Sequence, residues 1–191
     1  MARPKSEYKR NAILLGATQV FAERGLGAAT LAISSAAGVA EGTLFTYFRT
    51  KDELVNALYR EIKLELADAM MSGFPRKKNI RTRLQHIWDG YVNWGLANPE
   101  QRKVLALLQV SDIPTKESRA AEGAPFVEIE TMGREAIEQR VVRDGLSMEF
   151  IGKALGALAE VTMEFMTLHP KAVDQYRTSG FAMFWAGIAR K

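Results

Sequence analysis

Residues 38–54 read GVAEGTLFTYFRTKDEL, and this stretch decides the fold. The segment before it, LGAATLAISSAAG (residues 26–38), predicts a short helix that is capped by Thr30 and ends at Gly38. Gly38 supplies the left-handed backbone that a tight turn needs. A second short helix is predicted from Glu41 to about Phe48. Two short helices joined by a tight turn containing glycine form a helix-turn-helix.

The side chains of these two helices divide into an inner and an outer set. Small residues at Ala36 and Ala37 predict a close crossing of the helices. The apolar residues spaced to bury against the first helix of the chain are Ile33, Val39, Leu44 and Phe48. The outward residues are Glu41, Gly42, Thr46 and Tyr47. Hydroxyl groups and unpaired backbone N–H groups at the start of a helix suit contact with phosphate.

The rest of the chain also reads as helix, with no convincing strand. A capping box at Thr50 and Glu53 opens a long helix, and Ser147 caps a later one. The segment around residues 111–118 reads as a loop or a ragged helix start. The predicted class is all-α with about nine helices, over about residues 8–23, 30–38, 41–48, 51–71, 80–97, 99–110, 125–143, 148–168 and 170–190.

Composition excludes several classes of protein. The chain has no cysteine, no run of 18 or more apolar residues and no apolar leader behind its basic start, so we expect a cytoplasmic protein without a membrane segment. It has no glycine-rich nucleotide loop and no H-E-x-x-H spacing. His86 and His169 are expected at the surface or at a helix end. We therefore predict no catalytic site, no metal and no cofactor.

Charge is concentrated near the amino terminus. Residues 1–60 hold eight Lys or Arg against five Asp or Glu, while the whole chain has a formal net charge of +4. This bias suits a unit that binds a polyanion, although a small basic excess is also typical of a solvated surface. The basic residues of the amino-terminal arm either follow a phosphate backbone or form a solvated terminus; they are Arg3, Lys5, Lys9 and Arg10.

The pattern from Gly38 to Leu54 resembles the TetR/AcrR family of bacterial transcriptional regulators. The family motif commonly reads A-G-V-(small)-x-G-(T/S)-L-Y-x-Y-F-x-x-K-(E/D)-x-L, and the close match covers about residues 8–60. The resemblance implies a three-helix DNA-binding domain over residues 1–50. The helix that starts at residue 51 joins it to a helical ligand-binding and dimerisation domain over residues 51–191.

The resemblance also implies roles for single residues. It implies phosphate contacts at Thr43, Tyr47 and Lys51, close backbone approach at Gly42, base-facing positions at Ala40, Glu41, Phe45 and Thr46, and a cap and phosphate contact at Thr30. Phe45 stands where tyrosine is usual, so it can touch a thymine methyl but cannot donate a hydrogen bond. The segment from Gly25 to Ile33 is one residue shorter than is common, which leaves the role of Thr30 open.

Glu41 has the same sign of charge as DNA, and two interpretations fit it. A carboxylate in the first turn of a helix complements the helix dipole. Alternatively, it accepts a hydrogen bond from a cytosine N4 and disfavours other bases at that position.

The resemblance implies that the last two helices form the interface of a homodimer. Two heads are needed because one short helix makes few base contacts, whereas two heads about 34–36 Å apart read successive major grooves. The candidate interface residues are Gly152, Gly156 and Ala159, with the stripe of Phe181, Phe184, Trp185 and Ile188. Such a stripe is either the chain's own core or an interface between chains.

A hydrophobic or amphipathic effector is predicted in the second domain. Aromatic and methionine side chains make an adaptable apolar cavity, and ordinary core is the other interpretation for each of them. The candidate lining is Trp88, Tyr91, Trp94, Leu108, Phe126, Met132, Met163 and Met166.

The predicted function is sequence-specific regulation of transcription. A homodimer would bind a palindromic double-stranded DNA operator, most simply as a repressor, and a small-molecule effector would release it. The alternative is a helical protein-interaction module without a small-molecule switch, since apolar helix stripes serve that function equally well.

Overall fold

The computed structural model of the protein describes residues 6–120 and 124–190, with the backbone alone for residues 124–126. This part of the chain forms ten helices, which confirms the predicted all-α class. Its one pairing of extended backbone is a single antiparallel bridge between Val142 and Ala189. The helices are α1 (Glu7–Arg24), α2 (Thr30–Ala36), α3 (Glu41–Tyr47), α4 (Lys51–Met71), α5 (Ile80–Ala97), α6 (Pro99–Gln109), α7 (Lys116–Arg119), α8 (Ala124–Glu138), α9 (Met148–Leu168) and α10 (Val173–Ile188).

Local capping signals set several of these boundaries. The Thr50 hydroxyl accepts a hydrogen bond from the Glu53 amide at 3.0 Å, as the capping box predicts. The Glu53 carboxylate returns to the Arg49 amide at 2.8 Å, one residue before its expected partner. Ser147 accepts from the Phe150 amide at 3.1 Å and caps α9 as predicted. The starts of α4 and α9 therefore agree with the predictions from their side-chain caps.

The structure has one helix that was not predicted and two boundaries that are clearly shifted. The short helix α7, capped by Thr115, lies in the segment expected to be irregular. Helix α8 ends at Glu138 rather than near residue 143, because residues 141–143 pair with the end of α10. There, Arg143 donates its amide proton to the Ile188 carbonyl at 2.8 Å. Helix α10 begins at Val173 rather than at residue 170, after a turn over residues 169–172.

Helices α1, α2 and α3 pack around one apolar core. Ile13, Phe21, Ile33 and Leu44 are completely buried in it. The helices approach most closely at Gly16 of α1, where an added methyl group would lie 2.9 Å from the Ala37 amide nitrogen. This contact is between α1 and the end of α2, whereas Ala36 and Ala37 were expected to permit a close crossing of α2 and α3.

A polar clasp holds residues 111–119 against α4. The Asn56 side chain donates to the Ile113 carbonyl at 3.2 Å and accepts from the Thr115 amide at 2.9 Å. One turn further along α4, Arg60 donates to the Ser118 hydroxyl at 2.7 Å. Lys63 then donates to the Arg119 carbonyl at 2.8 Å. By compactness, residues 98–120 accordingly belong to the same unit as residues 6–64.

Burial changes the titration of two groups beside the clasp. It lowers the pKa of Lys63, and the nearby Arg119 guanidinium lowers that pKa further. Burial raises the pKa of Tyr59, whose ring lies 5.3 Å from the Lys63 ammonium, against the opposing effect of Arg119. The lysine thus makes its hydrogen bond in a partly dry environment.

The second compact unit contains residues 65–97 and 124–190. Its centre is Trp88 of α5, whose ring is fully buried and stacks on Phe184 at 6.2 Å between centroids. Phe181 packs on the same indole at 6.1 Å. Helix α10 can come this close because it has glycine at position 180, where an added methyl group would lie 2.8 Å from the indole edge. None of the helices in the described residues has the length and apolar character needed to cross a bilayer.

The contact at Gly16 gives a stability prediction. Alanine there gains about 1 kcal/mol of helix propensity, but it overpacks against backbone, which costs about 1–3 kcal/mol. We expect Gly16→Ala to lower the midpoint of thermal unfolding followed by circular dichroism. Gly42→Ala is the matched control, since an added methyl group there meets no atom within 4 Å. Equal stabilisation by both substitutions would contradict the packing account.

Candidate nucleic-acid interface

The turn between α2 and α3 is fixed by backbone hydrogen bonds. Gly38 has φ 65°, in the left-handed region that favours glycine. Its amide donates to the Ser35 carbonyl at 3.1 Å, and the Val39 amide donates to the Ser34 carbonyl at 3.0 Å. This pair of bonds is the Schellman pattern, which ends a helix and redirects the chain. Helix α3 then begins at Glu41, three residues after the glycine.

Helix α3 has an inner and an outer side, as the spacing predicts. Leu44 is fully buried, and Phe48, just after the helix, is nearly so. Phe45 is 42% exposed although it is a large apolar side chain. The other base-facing and phosphate candidates on this segment are exposed at Ala40, Gly42 and Thr46, and half-buried at Glu41, Thr43 and Tyr47. The outer side therefore has an aromatic ring and hydroxyl groups next to an exposed backbone.

Two of the phosphate candidates are held in place by α1. The Tyr47 phenol oxygen accepts a hydrogen bond from the Ser6 amide at 2.9 Å. A phosphate oxygen only accepts, so a contact between Tyr47 and phosphate would use the phenol O–H as the donor. The Lys51 ammonium lies 5.8 Å from the centroid of the Phe21 ring of α1, within cation–π distance.

Thr30 does not cap α2. The N-cap residue is Ala29, and Thr30 is the first residue inside the helix. Its hydroxyl instead donates to a carboxylate oxygen of Glu41, with Oγ1 and Oε1 2.6 Å apart. The predicted cap is thus wrong, because Thr30 lies inside the first turn of α2 and Ala29 takes the N-cap position. Sequence reasoning missed this bond, since its two residues are 11 positions apart and belong to different helices.

The amino-terminal arm is described only in part. Arg3 and Lys5 lie outside the described residues, and Lys9 is exposed. Arg10 is within 3.5 Å of the Glu61 carboxylate, so it is tied to α4. Both interpretations of the arm stay open for Lys9.

The effector candidates fall into both compact units. Trp88, Tyr91, Trp94, Met132, Met163 and Met166 are buried in the second unit. Leu108 is buried in the first unit, and the side chain of Phe126 lies outside the described residues. The Tyr91 hydroxyl donates to Glu160 at 3.4 Å. Among the described side chains, the indole N–H of Trp88 is buried and has no acceptor.

The interface candidates are mostly inside the chain. Phe181, Phe184, Ile188 and Ala159 are buried within it, Gly156 and Trp185 are half-buried, and Gly152 is exposed. Most of these residues already have partners within their own unit. Their contact with a second chain stays a prediction. The large apolar residues exposed on the opposite side of α9 are Phe150, Val161, Phe165 and Leu168.

The two histidines have structural contacts. His86 is bonded through its ring to the Ser72 carbonyl at 2.9 Å and packs edge-on against Phe74. His169 is the C-cap residue of α9 and stacks on Tyr176. Within the described residues, no three acidic or histidine side chains come together as a metal site would require.

Comparison with known proteins identifies the family. Residues 13–58 match the family model of bacterial regulatory proteins, tetR family. The whole chain is similar in fold to a tetR family transcription regulator from Shewanella sp. PV-4, at 26% identity, with 96% of this chain and 99% of that chain covered and a TM-score of 0.85. A TetR family regulator from Marinobacter aquaeolei VT8 has the same TM-score at 20% identity, with 97% of each chain covered.

A more distant similarity links the chain to the TetR-like regulator LfrR from Mycobacterium smegmatis, solved in complex with proflavine. The two chains are 18% identical over 97% of this chain and 99% of that chain, with a TM-score of 0.65. The family match covers the turn motif and its supporting helices, and the structural similarity extends the fold to the whole chain. Residues 13–58 thus carry the domain of the tetR family of bacterial regulatory proteins, and the whole chain has the fold of a TetR family transcription regulator, which supports a DNA-binding regulator of transcription.

Proposed function

We propose that the protein is a homodimeric repressor that leaves a palindromic operator when a small amphipathic molecule binds its second unit. The observation that carries the DNA part is the outer side of α3, where Phe45 and Thr46 are exposed beside Gly42. An α-helix of this kind fits the major groove of B-DNA. Phe45 would touch a thymine methyl there, and Gly42 would let the backbone approach closely.

Phosphate contacts would hold this helix in register. Thr43, Tyr47 and Lys51 supply two hydroxyl donors and one positive charge around the outer side of α3. Such contacts fix the orientation of a protein on the duplex and contribute no sequence information directly. The lysine contact also releases a counterion, which makes binding depend on salt.

The exposed apolar residues of α9 support a dimer. Phe150, Val161, Phe165 and Leu168 repeat at helical spacing on one side of the helix, and each is between 40% and 64% exposed. Alanines 154 and 157 continue the same stripe and allow close approach of a second helix. Contiguous exposed apolar surface of this kind usually marks a protein interface. We therefore place the proposed interface on this stripe.

The buried indole of Trp88 supports an effector site. A buried N–H without an acceptor loses free energy, so such groups usually have a partner in the functional state. An effector with a hydrogen-bond acceptor on an aromatic or apolar body would supply it. The proflavine complex of the distant relative LfrR supports a planar aromatic compound as a first probe.

The energetic demand on such an effector is moderate. Moving a population from 99:1 to 1:99 needs a preference of about 10⁴-fold for the state that does not bind DNA, which is about 5.5 kcal/mol. Burial of an apolar molecule at about 25 cal/mol per Å² reaches this value with roughly 200 Å² of differential contact. A molecule of three fused rings is large enough.

The phosphate role of Lys51 has a quantitative consequence. Selection from random DNA is expected to recover a palindromic site for the protein. On that site, Lys51→Gln should weaken binding to all sequences alike and reduce the slope of log K against log salt by about 1. Lys78→Gln, at an exposed lysine outside the first unit, is the control and should leave the slope unchanged. Failure to recover any palindrome, with binding insensitive to salt, would favour a protein-interaction module.

The proposed dimer stripe is testable by adding a charge to it. Val161→Glu places a carboxylate in the apolar contact, and we expect sedimentation equilibrium to show a shift towards monomer, with weaker operator binding. Thr167→Glu is the matched control, because it adds the same charge to an exposed position elsewhere on α9. A dimer that survives Val161→Glu unchanged would place the interface on another surface.

The effector role of Trp88 is separable from its packing role. Trp88→Phe removes the indole N–H but keeps an aromatic ring, so operator binding without effector should be retained. We expect the proflavine concentration needed for operator release to rise by about 10-fold, the effect of one lost hydrogen bond of about 1.4 kcal/mol. Fluorescence anisotropy of labelled operator measures both quantities. If no compound in a panel of aromatic and fatty amphiphiles releases the wild-type protein, the effector part of the proposal is wrong.

A further inference from the structure

We propose that Thr30 is a positioning residue for Glu41, and that the two side chains read one base pair together. The observation is the bond from Thr30 Oγ1 to Glu41 Oε1, 2.6 Å long, between the first residue of α2 and the first residue of α3. This inference rests on the DNA-binding function of α3. It replaces the phosphate contact that the family resemblance implies for Thr30.

Counting donors and acceptors decides between the two roles of Thr30. A hydroxyl has one proton, and an ionised carboxylate can only accept. The proton of Thr30 is therefore committed to Glu41 in this arrangement. A phosphate oxygen also only accepts, so Thr30 cannot donate to DNA while this bond exists. An O–H···O⁻ bond of this length is charge-assisted, and such bonds are roughly twice as strong as neutral ones.

The bond leaves one acceptor of the carboxylate for DNA. Among the described residues, no donor is bonded to Oε2 of Glu41. In the major groove, cytosine offers only its N4 donor, whereas guanine and thymine offer acceptors that would repel a carboxylate. Adenine offers a donor beside the N7 acceptor, and Glu41 has no donor for N7. The pair therefore selects cytosine.

Thr30 also fixes the direction of the carboxylate. Glutamate has three side-chain torsions. Because the bond restricts them before DNA binds, less conformational entropy is lost on binding. Because the bond joins α2 to α3, the direction of the carboxylate is defined relative to both helices of the turn motif. An unattached Glu41 would have both oxygens available in many orientations and would discriminate bases less sharply.

Four variants test the pair: Thr30→Val, Thr30→Ser, Glu41→Gln and the double variant Thr30→Val/Glu41→Gln. Each is put through selection on randomised half-sites, and its dissociation constants for the four bases at the affected position are measured at one salt concentration. We expect Glu41→Gln to reduce the preference for cytosine by about 10-fold, equivalent to about 1.4 kcal/mol. Thr30→Val should reduce the preference at the same position by about 3- to 10-fold.

Two further results are expected if Thr30 acts through Glu41. The double variant should be no less selective than Glu41→Gln alone, since a positioning residue has no effect once its partner's role is lost. Thr30→Ser keeps the hydroxyl and should retain the wild-type preference. Ser35→Ala is the control, because it removes an exposed α2 hydroxyl whose bond, among the described residues, is to the Leu31 carbonyl of its own helix. Circular dichroism checks that each variant is folded.

Other outcomes would overturn the inference. A uniform loss of affinity for all sequences in Thr30→Val, additive with Glu41→Gln, would make Thr30 a phosphate anchor. Unchanged base preference in both single variants would restrict the pair to a structural role between α2 and α3. A wild-type protein that selects no palindromic site would contradict the proposed operator itself, and this result is distinguishable because it appears before any substitution is made.

Discussion

The left-handed turn at Gly38 is the constraint on which the DNA-binding surface depends. It ends α2 through two backbone hydrogen bonds and sends the chain into α3 at an angle that buries Leu44 while Phe45 and Thr46 stay exposed. Helix α1 packs closely against the end of α2 at Gly16 and so supports the turn on its inner side. A backbone with a Cβ atom at position 38 would be strained, and the outer side of α3 would lose its defined orientation.

Sequence predicts those elements whose signals are local. The boundaries of α4, α5 and α9 agree with the predictions because a capping box, a run of helical periodicity and a serine cap act within a few residues of each boundary. The end of α8 differs from the prediction because its partner, the end of α10, lies more than 40 residues away. A pattern of 3.6 residues cannot report such a partner.

The candidate site shows the same difference between local signals, which the sequence contains, and contacts between residues far apart in sequence, which it does not. The family motif fixes the spacing of the candidate residues of α3, whereas the partner of Thr30 depends on how two helices meet across a turn. Periodicity also identified the apolar stripe of α10, but it cannot say what covers it. In the structure Phe181 and Phe184 pack on Trp88 of the same chain. The apolar residues left exposed are instead those of the α9 stripe.

The polar clasp of Asn56 has a practical consequence for protein engineering. One compact body contains the DNA-binding helices, the first part of α4 and residues 98–120. In sequence, 33 residues of the other unit lie between the first part of α4 and residue 98. Helix α6 packs against α1. A sensor made by grafting only the residues up to 50 onto a foreign effector domain would therefore leave α6 behind and expose the apolar surface of α1. A graft that takes residues 98–120 along, with the bonds of Asn56 and Arg60 intact, would transplant a self-contained module.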